Sequence, residues 1–520
     1  MPKLLKLILL AAFFNCLSWI VLVPVWQYSD EQAHFSQVQD MAEIGYVPTA
    51  SYNTSKEISD TEIIFGTDRT EGNNKYTYHP EYTIDYTKHT QGTYESQISS
   101  FPIESRTIFV KSEATTNPPA YYFLSSLVYK SFYNLDIISR VYAVRIFSMI
   151  LFLLLIYFGF KSAQIIFKDR LLVYTLTALI AFKPMLIFAS TGVLPDPLTN
   201  LLFSLVLYLS LLIFKNGINR TYLFLILTVV ITGLFTRQQF LLSAPIIAVA
   251  VIYDSIRRRR NLKIVIFSIV LVVVLTVISN HTSQIPILNS LHIPEFLVFE
   301  FGKFIKPEFF GYLNSALQKT YAETWPWYWG VYKWLSFTPP HLAYEVINRI
   351  VLVSVIGLLY KIFQSIRKRD FDQQFFIFLF AIVSSAIYFS AFILWDYFFQ
   401  EHKGYSFGFQ GRYFFPMIVF SMAVLLIGFW QFSRIIFKKY AKFALAALVL
   451  LMILFNNVSL FTLSATYYSF TDINTFIAQA SQYKPLFFKG NVISLLLITA
   501  LLGQALVIYQ MFRLASKARI

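Results

Sequence analysis

The chain of 520 residues is 56% hydrophobic and only 14% charged, and 43 Lys and Arg stand against 28 Asp and Glu for a net charge of +15. A soluble domain carries roughly 25% charged residues, so these figures exclude an ordinary water-soluble enzyme and point to a polytopic membrane protein. The cations gather in short breaks between apolar runs, which makes the positive charge a sign of membrane topology and not of nucleic-acid binding.

Runs long enough to cross a hydrocarbon core of about 30 Å as helix fall near residues 6–25, 141–165, 171–190, 197–214, 220–235, 238–254, 262–280, 345–363, 373–395, 412–432, 441–463 and 491–512. This predicts an all-α polytopic membrane protein with about twelve transmembrane helices. Under this division, Lys3, Lys6, Lys168, Arg170, Lys215, Arg220, residues 257–260, Lys263, residues 367–369, Lys438, Lys439, Arg513, Lys517 and Arg519 all fall on one side. The positive-inside rule makes that side cytoplasmic, with both termini there and the chain multi-pass in the plasma membrane. The first run, residues 1–25, has a basic start but no small-x-small site after it, and reads as a retained anchor. Its Cys16 is the single cysteine, so no intrachain disulfide can form.

The first outer loop, residues 26–140, is far longer than a connection between helices requires and should be a functional element with interfacial helices. Ser29 as N-cap with Gln32 three residues on reads as a capping box, and Phe35, Val38 and Ala42 give helical apolar spacing until Gly45. Residues 50–112 show no sustained period. Order returns at Asn117-Pro118-Pro119, where proline starts an aromatic helix lying in the interface before the second span. A block of spans over 141–280 follows, then a second outer loop over 281–344, then the remaining spans and a cytoplasmic tail over 345–520. That second loop carries Trp325-Pro326-Trp327-Tyr328-Trp329 and Trp334, readable as an aromatic belt at headgroup level or as a wall for a lipid chain or sugar ring.

On the helix after the first span, Asp30, Glu31 and His34 are spaced to face one cavity, although acidic residues in a first helical turn are also favoured by the helix dipole alone. Asp196, between Pro195 and Pro197, is either a polar corner or a carboxylate that holds a metal or binds a sugar hydroxyl. Arg145, Lys183, Arg237 and Arg412 fall near outer ends of spans. There the positive-inside rule disfavours cations, and a headgroup phosphate would lie. His79 and His89 lack a recognisable metal-ligand spacing.

The Asp30-Glu31 pair after the first span, the Asn117-Pro118-Pro119-Ala120-Tyr121-Tyr122 segment, Arg145, Pro184 with Asp196, Arg237, and Gln410-Gly411-Arg412-Tyr413-Phe414-Phe415-Pro416 stand in a distinctive order. Together they resemble the GT-C superfamily of integral membrane glycosyltransferases. Within it, the chain is most similar to a bacterial family of predicted membrane proteins with a Trp-rich outer loop and a Gln-Gly-Arg-Tyr element, and more distantly to protein O-mannosyltransferases and aminoarabinose transferases. The resemblance implies a polyprenyl-phosphate-linked sugar donor used on the outer face, an acceptor hydroxyl on a cell-envelope glycan, lipid or protein, and inversion at the anomeric carbon. It implies Asp30 as general base, Glu31 and His34 beside it, and Arg237, Gln410, Arg412, Lys183 and Arg145 toward the donor phosphate and its lipid. Asp196, Asn117 and Tyr121 would bind substrate. No cofactor is assigned, although there is room for a divalent cation; Asn117 stands where many relatives have histidine, which speaks against a metal-linked role there. The competing reading is a transporter or flippase of a lipid-linked glycan, which predicts ionisable residues deep within spans. An envelope polymerase or ligase usually keeps its large outer loop late in the chain, whereas here the largest comes first; a scaffolding membrane protein whose outer loop binds a partner is a further alternative that the sequence leaves open.

Overall fold

The computed structural model describes residues 1–46, 53–68, 84, 86, 93–111, 117–258, 307–406 and 408–517. The first part runs α1 (Lys3–Leu22), α2 (Glu31–Glu43), β1 (Asn53–Ser55), α3 (Lys56–Phe65), α4 (Thr93–Ser99), β2 (Phe109–Lys111) and α5 (Ala120–Ser131). It continues with α6 (Ile137–Ile166), α7 (Arg170–Ala181), α8 (Pro184–Thr191), α9 (Asp196–Asn216), α10 (Arg220–Leu234) and α11 (Ser243–Arg257). The last part is α12 (Pro307–Lys319), α13 (Trp325–Trp329), α14 (His341–Lys368), α15 (Gln373–Lys403), α16 (Ile418–Ile436), α17 (Ala441–Ser464), α18 (Ile473–Ala480) and α19 (Asn491–Lys517).

The chain is an all-α polytopic membrane protein. Among the described residues, nine helices are long and apolar enough to cross a membrane, or ten if α7 and α8 form one broken span. That pair bends by 53° at Lys183, because Pro184 has no N–H to give the preceding turn and starts a new helix instead. α10, expected as a span, has 15 residues; at 1.5 Å per residue that is roughly 22 Å, short of a hydrocarbon core. The span expected at 262–280 lies outside the described residues, as do His79 and His89.

Aspartates begin several helices in the ordinary way. Asp136, Asp169, Asp372 and Asp472 stand at N-caps in extended backbone, and each carboxylate accepts a backbone N–H of the first turn. α2 differs. Its N-cap is Asp30, not Ser29, its backbone is left-handed at φ 58°, and its side chain makes no cap bond. Gln32 makes no capping box either; both of its side-chain polar atoms lack a partner among the described residues. The helix exits through Gly45 at φ 84°.

α1 lies at the centre, packed by α6, α7, α8, α17 and α19. The apolar contact is supplemented by buried amides: Asn15 and Asn456 exchange hydrogen bonds, the Trp19 indole donates to Asn456 at 3.1 Å, and Gln504 donates to Asn15 at 3.0 Å. Interhelical amide bonds of this kind fix the register of spans where burial of apolar surface cannot. α14 and α16 meet backbone to backbone. A Cβ on Gly428 would collide with the Ser354 carbonyl, and one on Gly357 with the Gly428 carbonyl.

The described parts of the first loop are held to the fold by buried charge. Glu57 of α3 is bonded by Arg140 of α6, by Gln39 of α2 at 2.8 Å, and lies 3.6 Å from Arg106. Glu43 accepts from Tyr129 and Tyr133 at 2.7 and 3.2 Å. β1 and β2 close the loop as a short antiparallel pair with Thr54 opposite Val110. α5 buries Tyr121, Tyr122 and Tyr129 and exposes Phe123 and Leu127, the pattern of a helix lying at a membrane interface.

Replacing Gly428 with valine should separate α14 from α16 and cost about 1–3 kcal/mol. The check is a clear fall in melting temperature of the detergent-purified variant, and an unchanged melting curve would contradict the contact.

Candidate active site at the end of the first span

The site begins with a turn. After α1 the chain reverses through Trp26 and Asp30, both left-handed, and non-glycine residues in that conformation are uncommon enough to mark function. What holds the turn is Arg145 of α6. Its Nε and Nη2 donate to the two oxygens of Glu31 at 2.8 and 2.6 Å, and its remaining N–H groups reach the carbonyls of Ile20, Val23 and Pro24 at 3.2, 2.8 and 2.8 Å. A guanidinium has five N–H donors, and all five are used. Glu31 is equally occupied, accepting also from the backbone N–H groups of Trp26 at 3.0 Å and Val193 at 3.2 Å. Both side chains are fully buried. Arg145, expected toward a donor phosphate, thus spends every N–H within the protein, and Glu31, expected beside the base, has both oxygens bonded by protein groups.

With Glu31 turned inward, Asp30 faces the other way. Its Oδ2 lies 3.6 Å from Nη2 of Arg412, and its side chain is 39% exposed where that of Arg412 is 6%. Arg237 donates to Oδ1 of Asp196 at 2.8 Å from the stretch between α10 and α11. The Tyr413 ring lies beside both guanidiniums, 5.7 Å from that of Arg237 and 5.6 Å from that of Arg412. His34 completes the group: its Nδ1 is 2.8 Å from the Tyr122 hydroxyl. Burial lowers the imidazole to about 4, with Asp30 opposing and Arg237 adding to the shift, so the ring is neutral at pH 7. Asp30, His34, Asp196, Arg237 and Arg412 therefore share one place, although they come from four segments.

Several polar atoms here have no partner among the described residues: Oδ2 of Asp196, Nε of Arg412, Oε1 of Gln410, and Nδ2 of Asn200, one turn along α9 from Asp196. Buried polar groups are normally satisfied, so unpaired donors and acceptors beside a half-exposed carboxylate describe a site shaped for a polar ligand. Asp30 and Asp196 each lie beside a guanidinium, and no group of three or more metal-ligating side chains forms among the described residues.

Other expected residues sit elsewhere. Tyr121 is fully buried, its hydroxyl shared with Ser148 at 2.8 Å and accepting from the Leu194 N–H, so it braces the wall and does not face the cavity. Asn117 stands next to the group, its backbone N–H donating to Gln37 at 3.1 Å and its side chain hydrogen-bonded to Tyr122. Lys183 does not reach a phosphate position: Nζ is caged by the rings of Trp329 at 3.7 Å and Tyr328 at 3.9 Å, with no hydrogen-bond partner among the described residues. Tyr122 and Tyr413 were not anticipated as site residues. Only the adjacency of Tyr413 to Arg412 in the sequence hinted at it.

Gly411 explains how the arginine is placed. A Cβ there would strike the backbone of Trp327 and Tyr328, so the Gln410-Gly411-Arg412 segment lies against α13 as only glycine permits. On the far side of α13, Trp325, Tyr328, Trp329, Ser354, Phe414 and Leu425 line an apolar cavity of about 360 Å³ between α14 and α16. Trp329 and Trp334 are buried, so these two rings wall the interior and do not form a surface belt.

The family model described as "Predicted membrane protein (DUF2142)" matches residues 13–421. No curated protein matches the chain. Among solved structures it is similar to the archaeal oligosaccharyltransferase AglB from Archaeoglobus fulgidus in complex with an inhibitory peptide and a dolichol-phosphate, at 12% identity and TM-score 0.43, covering 89% of this chain and 55% of that one. It is similar also to the Archaeoglobus fulgidus oligosaccharyltransferase in the apo form (12%, 0.43, 92% and 55%) and in complex with Zn and sulfate (11%, 0.42, 86% and 53%). The chain spans about half the length of these proteins.

Glu31→Gln should destabilise the protein by about 3–5 kcal/mol, since it strands a buried guanidinium, whereas Asp30→Asn should leave the melting temperature nearly unchanged; equal effects of the two would contradict the division of roles. Because an unfolded chain protonates His34 near 6.5 and the folded one only near 4, the stability this ring permits is complete above pH 6.5 and falls as pH drops toward 4. His34→Gln should flatten that fall, read from melting temperatures between pH 7 and pH 4.5, and an unaltered slope would count against it.

Proposed function

On the premise that this chain belongs to the DUF2142 family of predicted membrane proteins, we propose that it is a glycosyltransferase, moving a sugar from a polyprenyl-phosphate donor to an acceptor hydroxyl at the outer face of the membrane. The observation that carries the reading is the half-exposed Asp30 beside Arg412, with Asp196 and Arg237 in the same site. Asp30 takes the proton of the acceptor hydroxyl as the oxygen bonds to the anomeric carbon. The bond from that carbon to the donor phosphate oxygen breaks, and the phosphate leaves with the electron pair. Arg412 and Arg237 meet the charge that develops on it, in a buried setting where such contacts are strongest. His34 stays neutral and so does not weaken Asp30 as a base. Asp196, with one oxygen unpaired, holds a sugar hydroxyl.

The donor's lipid has a place as well. Phe414, two residues from Arg412, lines the apolar cavity behind α13, so a phosphate at the arginines and a hydrocarbon chain between α14 and α16 belong to one molecule. Acceptor and sugar identity are set by side chains around the Asp30 opening.

A positioned carboxylate base contributes about 10² to 10⁴ in rate. Asp30→Asn, purified in nanodiscs and supplied with a panel of radiolabelled polyprenyl-phosphate sugars, should lose at least about 100-fold in turnover while still binding donor. Unchanged transfer by the variant would remove the base assignment, and labelled lipid crossing the bilayer with no sugar moved would favour a flippase.

A further inference from the structure

A second cavity, of about 490 Å³, lies at the opposite end of α1 from Asp30. It is lined by Lys3 at the start of α1, Arg170 at the start of α7, and Arg513 and Lys517 at the end of α19, with Leu4, Leu7 and Leu514 as apolar walls. α1 spans 20 residues, so this cavity and the candidate active site are roughly 30 Å apart, on opposite faces of the membrane. The distribution of basic clusters places it at the inner leaflet.

Four cations from three helices meet here with no carboxylate among the lining residues. Asp169, the neighbour of Arg170, spends its carboxylate on the Leu171 N–H as the cap of α7. None of the four has an acidic partner among the described residues. All four are exposed, so water weakens their mutual repulsion, while the absence of a lining carboxylate leaves the cavity with a net positive potential that favours an anion. The two arginines match phosphate oxygens in pairs, while the leucines offer a surface to acyl chains and none to a soluble ion. Basic pockets between spanning helices at the cytoplasmic side are a recurrent way to hold anionic headgroups.

We propose that this cavity binds the phosphate headgroup of an anionic phospholipid of the inner leaflet, which joins the ends of α1, α7 and α19. The full chain would be reconstituted in nanodiscs of phosphatidylglycerol or phosphatidylcholine, released into detergent and weighed by native mass spectrometry. Phosphatidylglycerol adducts should exceed phosphatidylcholine adducts by about fivefold or more, and Arg170→Gln/Arg513→Gln should remove that excess. Lys3→Gln/Lys517→Gln, on exposed side chains, supplies an independent pair with the same expected loss. Equal retention of the two lipids, or retention unchanged in both double variants, would overturn the proposal. Displacement of phosphatidylglycerol by millimolar inorganic phosphate would overturn it too, since the cavity would then take free phosphate and not a lipid.

Discussion

The pairing of Glu31 with Arg145 is the constraint on which the rest of this structure depends. Two opposite charges in a fully buried place are tolerated because every donor of one and both oxygens of the other are bonded. Through three carbonyls the guanidinium fastens the end of α1, and through Glu31 it reaches Trp26 and the backbone before α9. One ion pair thus joins four segments at the membrane boundary. It also forces the left-handed step at Asp30, which turns the neighbouring carboxylate out of the wall and toward Arg412.

Around that pair the charges divide into three uses. Asp136, Asp169, Asp372 and Asp472 begin helices. Glu43, Glu57, Arg106 and Arg140 hold the first loop together where no disulfide is available. Asp30, Asp196, Arg237 and Arg412 form a third group, gathered in one place, where Oδ2 of Asp196 and Nε of Arg412 have no partner among the described residues. The same economy applies to aromatic rings: Tyr328 and Trp329 enclose Lys183 on one side and wall an apolar cavity on the other. Under the proposed function, the arginines that would meet a phosphate and the apolar cavity that would take its hydrocarbon are joined through Phe414 and Tyr328.

Much of the architecture was legible from hydropathy, because a spanning helix must be long and apolar whatever its neighbours are. The spans at α1, α6, α9, α14 to α17 and α19 fall where apolar runs predict them. The break at Lys183 was less visible, since the apolar run continues through Pro184 and only the proline marks it. In the candidate site, spacing on α2 puts Asp30 and His34 one turn apart, and the structure sets both near Arg237 and Arg412. Spacing could not separate Asp30 from Glu31, because neighbours in sequence point apart only once Arg145, 114 residues away, has taken one of them. Similarly Lys183, Arg145 and Arg412 look alike as outward cations. Only tertiary packing decides which is caged by rings, which is consumed by carbonyls and which keeps a donor. Tyr122 and Tyr413 stand inside the two quoted motif segments, but among 33 tyrosines only the adjacency of Tyr413 to Arg412 hinted that a ring borders the site.

The central claim is that Asp30 and the arginines of distant segments enclose one donor phosphate with its lipid tail behind α13. A cryo-electron microscopy structure of the full chain in nanodiscs loaded with a polyprenyl phosphate tests it most directly. The account predicts phosphate density within hydrogen-bond reach of Arg412 and Arg237, beside Asp30, with the tail running along Phe414 between α14 and α16. Density for the phosphate elsewhere, with these three side chains facing empty solvent, would contradict it.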